Sequence, residues 1–523
     1  MEPKIQLMCE SNGERNEVAS SGGAMKYYRI LLLAVLVGIA FMLPAAPDDD
    51  DGKPQSDLPD RIEDSMKKGV EWLKSKQQAD GTWHKENKPF SVMDGYQFPT
   101  GTTALCLFAL LKCGVPRNDP VIRKGFNFIR NFSSTRRGVK SEDAKFDTIY
   151  SAACVVLALE ALHTAQPPRK PKKKKAEPEK KPDKWGTWVP PKEERKKKPK
   201  PDWGSPQGQG DLKLIKEYID YICRNTEPDG RWRYPGGTPR GFGDLSNSQY
   251  AMLALNVARR LKIKHPNEVY QKLVDYILDK QQKDGPVVNP GFPVPVADHP
   301  ISKLKAFQKK FMRELTRLVD KCRKLEKKGK DPLDDPANDP RTYVEEEQEK
   351  IFGTEGKPMK ARGWAYQEED TDDRMAWKRL FTGSMATSAV ICLAGAKDAL
   401  EKTPYWKAKG KRVNKSLRDG CAWIAHNFTV SCNPGGNIHH YYYLYGLERA
   451  GIICMVPKFG KHLWYKKGAE HIIGSQGADG GWQIGGGTAG PQIDTAFALL
   501  FLKRATTPLV SMPGPTWTGA GLK

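Results

Sequence analysis

Two kinds of helical pattern alternate along the chain. One is amphipathic, as in Lys466–Ser475, where Ala469, Ile472 and Ile473 share a face. The other is apolar nearly all round, as in Asp494–Arg504 with Phe497, Leu499, Leu500 and Leu502. A helix with one polar face lies at a surface, and a helix that is apolar all round must be covered on every side. The pattern therefore predicts outer helices, each followed by a buried inner one.

The alternation recurs. Trp72-Leu73 ends an outer helix and leads to the apolar helix Thr102–Leu111, and Asp119–Asn131 leads to Tyr150–Leu162. Leu212–Cys223 leads to Asn247–Leu261, and Val269–Leu278 leads, across a long insertion, to Ser384–Leu400. Leu417–Phe428 leads to Tyr441–Ala450, and Lys466–Ser475 to Asp494–Arg504. A single hairpin cannot bury its inner face, whereas six can do so by closing on themselves.

The turns carry a signature. Gln77–Trp83 and Gln476–Trp482 both read Gln-x-x-Asp-Gly-x-Trp, Asp229-Gly230-Arg231-Trp232 repeats its end, and Gln281-Gln282 with Asp284-Gly285 repeats its start. Gly363-Trp364-Ala365-Tyr366 looks like the displaced end of that fourth turn. Asp-Gly makes the tight turn, Gln is suited to hydrogen-bond the ends of neighbouring helices, and Trp is a large apolar plug. These residues read as staples between hairpins.

This motif resembles the QW repeat of the squalene–hopene cyclase and protein prenyltransferase β-subunit superfamily, over about residues 60–165, 210–285 and 360–505. The resemblance implies an all-α fold, an α/α toroid of six outer–inner hairpins. It is informative about fold and poor for activity, because the superfamily includes cyclases, zinc prenyltransferases and non-enzymatic thioester domains. The expected organisation is an N-terminal extension (1–24), a hydrophobic segment (25–46), hairpins one and two (55–165), an insert (166–210), hairpin three and the start of four (211–285), a second insertion (286–362), the remaining hairpins (363–505) and a tail (506–523).

Composition alters this picture at the ends and inserts. The chain has 523 residues and a net charge of +23. Much of that charge sits in the Lys/Pro-rich stretch 166–210, so no specific nucleic-acid interface is assigned. That insert is expected to be disordered, with Trp185, Trp188 and Trp203 folding loosely against the rim of the barrel or, in the alternative, offering a protein partner or membrane surface a docking point. In 286–362, Ile301–Lys328 reads as a charged amphipathic helix lying on the barrel. Lys26 and Arg29 precede the apolar run Ile30–Leu43, and Asp48–Asp51 follow it. This layout predicts an uncleaved membrane anchor, or in the alternative a cleaved signal peptide, with the barrel on the exported side. Cys432 and Cys454 lie in loop-like positions and are candidates to pair.

In such a barrel the chemistry sits where the inner helices begin. The candidates there are His439, His440, Asp147, Asp244 and Asp494, with Tyr150 and Tyr442, and with Tyr250 and Tyr445 nearby. Aromatic faces can stabilise a cation. The superfamily's cyclases use an Asp-x-Asp-Asp-Thr-Ala motif. Asp370-Thr371-Asp372-Asp373 matches part of it, but lies in an acidic run well before an inner helix. Asp494-Thr495-Ala496 matches by position, with Ile493 where the proton-donating Asp belongs. Asp370, Asp372 and Asp373 are therefore weaker candidates. The prenyltransferase zinc pattern finds Asp419-Gly420-Cys421 on an outer helix, in the wrong register, and the thioester Cys-Gly-Glu-Gln element is missing. No metal site and no cofactor are assigned. The expectation is a non-catalytic binding or scaffold protein at the cell envelope, taking an isoprenoid or other apolar ligand. The alternative is a cyclase acting on a triterpene or polyprenyl substrate.

Overall fold

The computed structural model describes residues 58–83, 98–133, 146, 148–164, 201–234, 243–353, 356, 358–367, 373–436, 438–483 and 490–510. The chain divides into two compact units, Met1–Pro59 and Asp60–Lys523, and all that follows concerns the second. It is predominantly helical.

Six amphipathic helices, α1 (Leu58–Ser75), α3 (Pro120–Asn131), α5 (Pro206–Arg224), α7 (Glu268–Asp279), α11 (Pro404–His426) and α13 (Trp464–Gly474), alternate with six apolar ones. The apolar set is α2 (Pro99–Lys112), α4 (Ile149–Thr164), α6 (Leu245–Arg260), α10 (Gly383–Leu400), α12 (His440–Cys454) and α14 (Pro491–Lys503). Each apolar helix packs on the next, α2 on α4, α4 on α6, α6 on α10, α10 on α12 and α12 on α14, and α14 packs back on α2. The cycle gives every apolar helix two like neighbours, so almost every residue of α6 and α10 is buried. Helices α8 (Ile301–Glu326) and α9 (Pro340–Phe352) belong to the insertion within hairpin four, whose start and end pair as β1 (Val287–Val288) and β2 (Met359–Lys360), antiparallel.

The turns hold the cycle through two repeated contacts. The indole N–H of Trp83, Trp232 and Trp482 each donates to the carbonyl ten residues earlier, Leu73, Ile222 and Ile472, at 2.6, 2.7 and 2.7 Å. These carbonyls sit in the last turn of an outer helix, where no N–H four residues on reaches them. Trp364 makes the same bond to Ile277 at 2.8 Å across the whole insertion. It is thus the displaced tryptophan of the fourth turn. The second contact is the glutamine. Gln77 Nε2 bonds the Val121 carbonyl of α3 (2.9 Å), Gln281 the Ser416 carbonyl of α11 (3.1 Å), and Gln476 the Ser65 carbonyl of α1 (2.9 Å). Each glutamine therefore clips its turn to the next outer helix. Two of the three reach carbonyls inside a helix rather than at its end.

The turn glycine is required twice over. Gly230 has φ +87°, and a Cβ there would lie 2.4 Å from the backbone of Lys272 and Leu273 in α7. Both the left-handed backbone and the close approach exclude a side chain.

Several expectations change. Among the described residues no helix is long and apolar enough to cross a membrane. This overturns the expected helical membrane anchor and the localisation built on it; segment 25–46 itself lies outside the described residues. The insert ends earlier than expected, because Pro206 already opens α5 under a Ser205 cap. Trp203 packs on His163 at 4.3 Å, in keeping with the reading that it folds against the helices, while Trp185 and Trp188 lie outside the described residues. Helix α11 begins at Pro404, well before Leu417, since its first half is a lysine-rich solvent face with few apolar positions. Only the start of the α8 stripe lies on the inner helices, where Ile301 N–H bonds Glu401 and Lys305 Nζ bonds Asp398 at the end of α10. Phe311, Leu315, Val319 and Cys322 form a separate small core with Tyr343 and Val344 of α9. The tail is partly packed: Thr506 bonds Glu448 and Val510 is buried. Cys454 is a free buried thiol and Cys432 is disulfide-bonded, so the two do not pair with each other.

Gly230→Ala is expected to destabilise the fold by about 1–3 kcal/mol, because it adds steric conflict to an unfavourable φ. Gly474→Ala, where a Cβ meets nothing within 4 Å, should stay within about 0.5 kcal/mol. Thermal melting of the two variants side by side checks the difference.

Candidate functional site

The residues that begin the inner helices converge on the inside of the cycle. Their rings form a continuous chain. Phe98 stacks on Tyr234 (5.8 Å between centroids), Tyr234 on Tyr150 (5.9 Å), Tyr150 meets Tyr250 (4.4 Å), Tyr250 stacks on Tyr442 (6.2 Å), and Tyr442 meets Phe497 edge-on (5.9 Å). Tyr445 reaches Phe497 one helical turn deeper, at 5.8 Å. Through Tyr250 the chain of rings links Tyr150 of α4 to Tyr442 of α12. Because α4 and α12 stand three places apart in a cycle of six, that chain spans the interior. Phe98, Tyr150, Tyr234 and Tyr442 nonetheless keep part of their surface accessible.

Beneath these rings lie two polar groups. Gln249 Oε1 accepts from the Tyr442 hydroxyl (2.7 Å) and from Ser388 Oγ (3.2 Å). Arg449 is fully buried, with its guanidinium 4.0 Å from the Tyr445 ring centroid and 5.0 Å from that of Tyr250. It donates to the Tyr445 carbonyl (3.3 Å) and the Tyr250 hydroxyl (3.4 Å). Burial pushes the Tyr150 and Tyr250 hydroxyls well above their usual range, despite the cation beside Tyr250. These phenols are neutral hydrogen-bonding groups at any ordinary pH.

The sequence candidates separate in space. Tyr150 and Tyr442 lie in the ring chain just described. His439 precedes α12 in a left-handed conformation (φ +61°), one that histidine adopts more readily than bulky residues do. It is exposed and meets Tyr442 at 6.5 Å, with burial of its surroundings lowering its pKa. His440 turns away from the interior. Its Nε2 lies 2.8 Å from the Val430 carbonyl, its ring is 5.1 Å from His471 of α13, and burial holds its pKa at about 4. Asp494 is buried on the Tyr441 side of α14, where burial, and to a lesser degree the Asp494 charge, raises the Tyr441 pKa. Its neighbour Ile493 is the residue with accessible surface there. Asp244 is buried and caps α6: it accepts from Asn247 N–H (2.8 Å), Asn247 Nδ2 (2.8 Å) and Ser246 Oγ (2.5 Å). Burial still raises its pKa, yet its oxygens are committed to the helix start. Asp147, Asp370 and Asp372 lie outside the described residues. Asp373 opens a short 3₁₀ helix, Asp373–Arg379, ahead of α10.

The outer-helix register of Asp419 is as read from the sequence. The carboxylate is held by Arg362 Nε (2.8 Å) and Lys415 Nζ (2.6 Å). Arg449, Gln249 and Ser388 were not singled out. The helical spacing Tyr442, Tyr445, Arg449 would have found the arginine, because positions three, four and seven apart share a face.

No protein-family model matches this chain, and no curated protein matches it.

Next to Arg449, Glu448 points elsewhere. It is fully buried, accepts from Thr506 N–H (3.1 Å) and Oγ1 (2.6 Å), and burial raises its pKa to about 7. Only the folded protein holds this proton between pH 4.5 and about 7. The contribution of this group to stability is therefore full below pH 4.5 and falls as pH rises through that window. Glu448→Gln should flatten the fall, which amounts to at most about 3 kcal/mol. Melting temperatures of wild type and variant between pH 5 and 8 test this. The opposite slope from His440, whose depressed pKa favours the fold at higher pH, is common to both proteins and cancels in the difference.

Proposed function

We propose that the chain is an α/α toroid of the QW-repeat superfamily, and that it binds an apolar ligand inside the ring of inner helices without transforming it. The observation that carries the fold reading is the closed cycle of six apolar helices, stapled at four turns by the same Trp-to-carbonyl bond. The binding reading rests on the aromatic chain that crosses the interior at the end where those helices start. Phenol and phenyl faces offer a large apolar surface at little cost in side-chain entropy.

Cyclisation of an alkene requires a strong acid held beside it. Ile493 occupies the accessible position at the start of α14, and an isoleucine has no proton to give. Among the buried carboxyl candidates, Asp244 has its oxygens engaged by Ser246 and Asn247. Burial raises its pKa against those bonds, but the oxygens are committed to the start of α6, which leaves them poorly placed to protonate an alkene.

Farnesol and squalene are suitable uncharged probes. Incubated with the full chain, they are expected to bind, as read by native mass spectrometry, and to be recovered chemically unchanged by gas chromatography. Tyr150→Ala should weaken binding by about tenfold, in line with the loss of one large aromatic contact. A cyclised product would sink the non-catalytic reading, and failure of both probes to bind would sink the binding reading.

A further inference from the structure

The interior contains a positive charge that, among the described residues, no carboxylate contacts. Arg449 is fully buried, its Nη1 has no hydrogen-bond partner among the described residues, and no carboxylate pairs with it there. Its own neighbour in sequence, Glu448, is engaged with Thr506. A second donor is in the same position: Gln249 is fully buried, and its Nε2 has no partner among the described residues, although its Oε1 has two. An unpartnered buried donor is costly, and an unneutralised buried cation more so. Both donors belong to the Tyr250–Tyr442 unit. Gln249 precedes Tyr250 and accepts from Tyr442, and Arg449 donates to Tyr250.

Depth along α12 orders these groups. Tyr442, at the accessible end, is seven residues before Arg449, about 10 Å at the rise of an α-helix. A ligand entering past Tyr442 thus meets aromatic faces first and the guanidinium last. The charge available is a single one. Arg449 is the cation whose charge reaches Tyr250, Tyr442, Tyr445, Cys154 and Cys392, while the Glu448 and Asp244 carboxyls also reach Tyr445 and Tyr442. A lone guanidinium in an apolar enclosure matches a monoanion; a doubly charged phosphate would remain half-neutralised.

We infer that the interior site takes an apolar molecule ending in one carboxylate, with Arg449 Nη1 holding the carboxylate and Gln249 Nε2 donating to an oxygen of the same ligand. This rests on the binding reading above and adds the ligand's chemical class. Charge-assisted hydrogen bonds to carboxylate are the strongest that a guanidinium makes.

The test compares farnesoate with farnesol, which share one hydrocarbon body and differ in the charged end. By isothermal titration calorimetry on the full chain at pH 7.5, farnesoate should bind at least about tenfold more tightly than farnesol. Arg449→Met should abolish that preference while leaving farnesol affinity within about threefold, and Arg449→Lys should restore part of it. Gln249→Met should reduce the preference by a smaller factor, and it serves if Arg449→Met does not fold. Equal affinity for the acid and the alcohol, or a preference untouched by both variants, overturns the carboxylate inference and leaves the binding reading intact. Binding of neither probe overturns the binding reading itself, and the inference with it.

Discussion

The bond on which the architecture depends is the one from a turn tryptophan to the last carbonyls of the outer helix before it. A helix ends with carbonyls that have no partner of its own. Here that requirement fixes the bulkiest residue of each turn. The indole N–H reaches back to Leu73, Ile222, Ile277 or Ile472, and the ring fills the space between hairpins. One contact therefore ends the outer helix, sets the path toward the inner one, and supplies apolar bulk at the seam. The fourth turn shows how strong the constraint is. The insertion from Pro286 to Arg362 separates the two halves of the turn, yet Gln281 and Trp364 meet α11 and Ile277 as though nothing intervened.

With the seams closed in this way, the inner helices need no polar face. Their first residues are then free to be aromatic. The ring chain from Phe98 to Phe497 draws on all the inner helices except α10, and α10 adds Ser388 beside Gln249. The opposite ends are closed by different chemistry. There Glu160 pairs with Arg260 at 2.7 Å, and Glu448 is sealed by Thr506 of the tail. The aromatic rings at one end and the charged groups at the other make the interior chemically asymmetric.

Arg449 is the feature that fits this scheme least as a structural element. A buried guanidinium is stabilised by ring faces and carbonyls, but a carboxylate does more. Methionine or leucine would fill the same space without a desolvation penalty. The side chain that the packing alone does not require is therefore the one that points to a ligand.

Much was legible in the chain itself. Helix type and alternation followed from periodicity, because amphipathic and all-apolar patterns report directly on how many sides of a helix are covered. The staples followed from spacing, including Trp364 across the insertion, and so did the placement of Tyr150 and Tyr442 at helix starts. What only the tertiary structure decided is which of the neighbouring residues face inward together. His439 and His440 adjoin in sequence, but one meets Tyr442 and the other His471. Ile493 and Asp494 split in the same way. Adjacent residues on a helix point about 100° apart, so a helix start can be located from sequence while its inward side chain cannot. Arg449 and Gln249 were hidden for the same reason: each is ordinary in its own helix, and becomes notable only where helices distant in sequence leave it buried and unpaired.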